Sequence, residues 1–146
     1  MTESDHPPVP PVPLDGAASA VARAMTEASD GERIAFPAVL AALAEVGVER
    51  YHADLVAACK TYYAADGGAE AVPCHPLGAP PAAAFSAAGV EAAVRAVQAG
   101  AMGYRAFCAA IAAAGCVGYH VTLPGRRAVY YGRTGDSHTE WFPGAR

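Results

Sequence analysis

Apolar residues along this chain recur first at helical spacing and then at every second position, and that change happens twice. Asp15 is a helix-capping residue type, and 17–29 follows in helix formers with Val21, Met25 and Ala28 on one face. A second helix is predicted over 36–46. Phe36, Val39, Leu40 and Leu43 make its apolar stripe, Pro37 suits its first turn, and Gly47 suits a left-handed cap at its end. Beyond Gly47 the period falls to two, so 48–55 and 60–64 read as a hairpin, Asp66-Gly67-Gly68 as a turn and 69–73 as a short third strand. The order then repeats. Ser86 caps a helix that runs to Ala99, where Gly100 stops it, and 104–114 turns Tyr104, Phe107, Cys108 and Ile111 inward before Gly115. Strands follow at 117–123, 127–132 and 137–142, with turns at Pro124-Gly125 and Gly135-Asp136.

The repetition extends to residue identity. Shifting the sequence by 68 positions lays 36–67 over 104–135 without a gap, and 11 of the 32 positions are identical. Four identities are Ala and carry little weight in so Ala-rich a chain. The other seven are Gly47/Gly115, Tyr51/Tyr119, His52/His120, Leu55/Leu123, Tyr62/Tyr130, Tyr63/Tyr131 and Gly67/Gly135. A long period present only twice predicts a duplicated supersecondary unit rather than a solenoid. The expected fold is α+β: two internally duplicated helix–helix–β-meander units forming two layers, with four helices over one face of an antiparallel sheet. Residues 1–14, with their run of prolines, are expected to form a disordered tail. Residues 15–146 are expected to form one domain, with repeats at 15–73 and 85–143 and a linker at 74–84.

Composition narrows the function classes. A chain of 146 residues can bury a core without disulfide or metal staples. The net charge is −4, divided as 11 acids and 4 bases in 1–70 against 3 acids and 6 bases in 71–146. Opposite signs suit halves that pack together or a head-to-tail dimer, while the acidic total argues against nucleic acid and anionic membranes. Two stretches of twenty residues, 71–90 and 106–125, lack any Asp, Glu, Lys or Arg. The first is broken by four prolines and the second by Gly115, His120 and Pro124, so neither is expected to span a membrane. The acidic, Pro-rich N-terminus does not resemble a secretory signal. Cys59, Cys74, Cys108 and Cys116 form no Cys-x-x-Cys pair and are expected to be reduced, which suits the cytoplasm.

Candidate chemistry comes from the hairpins. Alternation puts Tyr119, Val121 and Leu123 on one face and His120 and Thr122 on the other. Reading Val129 and Tyr131 as core residues leaves Tyr130 beside His120. The same reading turns Tyr51, Ala53, Leu55, Thr61 and Tyr63 inward and His52, Asp54 and Tyr62 outward. The helix-free face then carries two His–Tyr pairs, His52 with Tyr62 and His120 with Tyr130. These are candidate binding residues, and a second copy or another protein is expected to cover them. Arg126 and Arg127, with Arg133 nearby, form a basic corner able to hold a carboxylate or phosphate. His138 and Glu140 share a strand face, with His120 as the third residue a metal would need. Cys74-His75 is a nucleophile–base neighbour pair whose adjacency opposes the required geometry. No phosphate loop, nucleophile elbow or dinucleotide fingerprint is present, so neither a cofactor nor a metal is expected.

Two blocks, 47–55 followed by Lys60-Thr-Tyr-Tyr63 and 115–120 followed by Arg126-Arg-Ala-Val-Tyr-Tyr-Gly-Arg-Thr-Gly135, resemble domain-of-unknown-function family 1398. Its members are bacterial proteins sometimes labelled "phage envelope protein". The resemblance covers about residues 15–143 and implies a fold and a lineage, without an activity or catalytic residues. The functional expectation is therefore a binding or interaction module that is not an enzyme. The alternative is a small-molecule enzyme with a cleft between the repeats, using His52 or His120 with tyrosine partners and Arg126 and Arg127.

Overall fold

A computed structural model of the chain describes residues 7–144. It is an α+β protein in two layers. Helices α1 (Gly16–Asp30) and α2 (Phe36–Glu45) precede strands β1 (Val48–Asp54), β2 (Cys59–Ala64) and β3 (Ala69–Pro73). Helices α3 (Ala87–Gln98) and α4 (Tyr104–Ala113) then precede β4 (Cys116–Thr122), β5 (Arg127–Gly132) and β6 (Ser137–Trp141). Local chemistry starts and stops these elements as the sequence implies. The Asp15 carboxylate accepts from Ala18 N at 2.8 Å, and the Ser86 hydroxyl accepts from Gly89 N at 3.0 Å. Left-handed backbone recurs 68 residues apart at Glu32 and Gly100, Gly47 and Gly115, Ala58 and Arg126, and Gly67 and Gly135.

The six strands form one antiparallel sheet in the order β3-β2-β1-β4-β5-β6, which reads alike from either edge. At its centre β1 pairs with β4, and His52 lies opposite His120. The connections on either side of this pair match: Leu55 N donates to Val117 O at 3.0 Å, and Leu123 N to Glu49 O at 2.8 Å. All four helices pack on one face. That face carries a row of tyrosines across four strands, in the order Tyr62, Tyr51, Tyr119, Tyr130, with successive centroids 5.2, 6.3 and 5.2 Å apart. Such ring contacts add about 0.5–1.5 kcal/mol each beyond the area they bury.

The ordered structure reaches further toward the N-terminus than the predicted tail allows. Leu14 is buried in the core, and Ala69 N donates to Val12 O at 2.8 Å beside a parallel bridge from Val12 to Gly68. Residues 1–6 of that expected tail lie outside the described residues. No helix among the described residues is long and apolar enough to cross a membrane.

Candidate functional site

The return strands face the opposite way from the sequence-based assignment. Tyr62 is 1% exposed and Tyr130 is 7% exposed, both beneath the helices rather than on the open face. The cause is register. Four-residue turns with left-handed Ala58 and Arg126 set Tyr51 opposite Tyr62 and Tyr119 opposite Tyr130. Directly opposed residues share a face, so inward Tyr51 and Tyr119 take their partners inward with them. The Tyr62 hydroxyl lies 2.7 Å from Thr26 Oγ1, which itself donates to Ala22 O at 2.9 Å. Tyr62 is therefore the donor to Thr26.

The open face keeps His52 and His120 but pairs them with Tyr131. The imidazole centroids are 4.5 Å apart, and the Tyr131 ring stacks 5.9 Å from His52 and 5.7 Å from His120. Tyr131 Oη and His52 Nε2 share a hydrogen bond of 2.6 Å. Partial burial, with His52 and Arg50 nearby, lowers the pKa of His120. Arg127 stacks on Trp141 at 4.7 Å, and Arg126 stands exposed at the hairpin turn, so the two do not converge on one anion.

His138 and Glu140 pair at 2.6 Å, and Glu140 also takes an ion pair from Arg95 of α3 at 3.0 Å. Both project from the helix side of β6, since they oppose the buried Tyr130 and Ala128, whereas His120 is on the other face. The structure does not bring the three together. Burial pushes the Cys74 thiol up to about 11, which keeps it protonated beside His75 and unsuited to attack.

A concavity lies between the two repeats, the place the enzyme alternative names, but none of His52, His120, Arg126 and Arg127 lines it. A cleft of about 830 Å³ opens between α2, α3 and the helix side of the sheet. It falls in the size range of small-molecule sites, roughly 300–1,000 Å³. It exists because the helix layer closes on one side only. Helix α1 packs against α4, while the matching space between α3 and α2 stays open as the cleft. On the closed side residues 74–78 lie across the corresponding position and leave a pocket of only about 100 Å³. Ile34, Phe36, Val94, Val97, Met102 and Phe142 contribute apolar walls, and Tyr51, Lys60, Tyr119 and Tyr130 lie on the sheet side. Phe36 and Phe142 meet edge to face at 5.6 Å, and Phe36 remains 42% exposed.

Lys60 is the residue that sequence reasoning missed. It is 3% exposed, although β2 was read with Thr61 inward. Its ammonium lies 4.4 Å from the Tyr104 ring centroid and 5.7 Å from that of Tyr51. Burial lowers its pKa, opposed by Cys108, Cys74 and Asp30. No carboxylate among the described residues pairs with it. A signal was present in the repeat: position 60 corresponds to Ala128, a small apolar residue suited to an inward site.

Fold and site together define a two-layer α+β module with a ligand-sized cleft between its layers. No family model matches the chain, and no curated protein matches it.

Proposed function

We propose that this chain is a non-catalytic binding module that takes a small, largely apolar molecule into the cleft between α2, α3 and the sheet. The observation that carries the reading is the cleft itself: about 830 Å³ of apolar-walled space left where the helix layer does not close. The residues offered for an enzyme lie elsewhere. His52 and His120 occupy the open face, and Arg126 and Arg127 belong to a hairpin end. The test is titration with N-phenylnaphthylamine, an uncharged apolar fluorophore. Saturable uptake, read as a rise in the probe's own emission, is expected. The paired substitutions Val97→Phe and Ala128→Phe should abolish uptake while leaving unfolding cooperative. A native protein that takes up no probe would remove the proposal.

A protein partner on the open face is the second reading, favoured by the stacked cluster of His52, His120 and Tyr131 at the centre of the sheet. Light scattering at high concentration separates it from a monomer. Descent of the two halves from one duplicated unit belongs to the same proposal, as does membership of family 1398. The recurrence of left-handed backbone at four positions 68 residues apart supports the duplication. Four free thiols suit the proposed cytoplasmic location.

A further inference from the structure

We propose that the cleft's ligand carries a singly charged carboxylate on its apolar body, and that Lys60 is the residue that binds this head group. The inference rests on the cleft being the ligand site and adds the chemical class of the occupant. Carboxylates at the cleft are already engaged. Glu140 pairs with Arg95 and His138, and Glu32 accepts from Arg105 N at 3.1 Å. Arg33, the cleft's other cation, pairs with Glu27 at 3.6 Å. Lys60 is left with two ring faces and neither an ion pair nor a hydrogen bond among the described residues.

Two further donors on the sheet side share this state. Tyr51 and Tyr130 are buried and line the cleft, and neither hydroxyl bonds to a described residue. None of these three polar groups is sealed off, because no side-chain nitrogen or oxygen among the described residues is both buried and unpartnered. Each keeps contact with space, and the space each lines is the cleft. An unpaired ammonium held among apolar walls is costly, and a matched anion offsets that cost. One cation calls for one negative charge: a dianion such as phosphate would leave an unbalanced charge in the cleft. A carboxylate can accept from the ammonium and from a phenol at once.

The test compares decanoate, decan-1-ol and decylamine, which share one tail, by displacement of N-phenylnaphthylamine from the native protein. Decanoate should bind about tenfold or more tightly than the alcohol, and the amine most weakly. Lys60→Met should erase the preference for acid over alcohol while keeping alcohol binding. Equal binding of acid and alcohol, or preference for the amine, would overturn the carboxylate assignment and leave the cleft reading standing. Failure of all three, and of the probe, would overturn both. The comparison on native protein decides the matter even if the Met variant does not fold.

Discussion

Lys60→Met should make the unliganded protein more stable at neutral pH, an unusual expectation for a buried residue in a β-strand. Lys60 is 3% exposed, and its ammonium has no counter-ion among the described residues. Withdrawing such an ion from water costs several kcal/mol even after the surroundings relax. The Tyr104 ring at 4.4 Å returns about 2 kcal/mol, and the Tyr51 ring at 5.7 Å returns less. A remainder of about 1–2 kcal/mol is relieved when an uncharged thioether of similar length fills the space. For a domain of this size that corresponds to a rise in Tm of about 2–8 °C.

The pH dependence gives the sharper test. Burial lowers the Lys60 pKa from 10.5, so between that lowered value and 10.5 the native state binds fewer protons than the unfolded chain. Parent stability therefore rises with pH across this window through Lys60, and the Met variant lacks that contribution. The advantage of the variant is greatest below the lowered pKa and closes as pH approaches 10.5. Tyr51 from β1, Tyr104 and Cys108 from α4, Cys74 and Asp30 face the same region. Both proteins retain all five, so their own titration largely cancels in the difference. Urea unfolding of the pair from about pH 6 to about pH 10 measures it. A Met variant less stable than its parent at neutral pH, or a difference that ignores pH, would refute the account of Lys60.

Other substitutions test the frame around the cleft. Thr26→Val keeps side-chain shape but leaves the buried Tyr62 hydroxyl without its acceptor, so denaturant unfolding should show a loss of about 1–3 kcal/mol, largely restored by Thr26→Ser. Gly47→Ala and Gly115→Ala form a matched pair at left-handed positions, with φ of 81° and 87°. An added Cβ at Gly47 meets nothing within 4 Å, so only the backbone cost of about 1 kcal/mol applies, whereas at Gly115 it would fall 2.1 Å from Ala84 O. Thermal unfolding should rank Gly115→Ala as much the more damaging; equal losses would contradict the packing of residue 84 against the end of α4.

Much of the fold is legible in the sequence because local rules set it. Asp15, Ser86 and Pro37 mark helix starts, Gly47 and Gly115 mark helix ends, and the change from helical to alternating period locates β1 and β4 within one residue. The inward facing of Tyr51 and Tyr119 and the open-face position of His52 and His120 follow from alternation alone. What alternation leaves open is the phase of one strand against the next. That phase depends on a single turn residue, and the turns at Ala58 and Arg126 sent Tyr62, Tyr130 and Lys60 inward and Tyr131 outward. The cleft is a further step removed from the sequence. It depends on whether helices far apart in the chain meet, and α1 meets α4 while α2 and α3 leave a gap. Periodicity reports which side of an element is apolar, but only tertiary packing decides whether another element covers that side or a ligand-sized space remains.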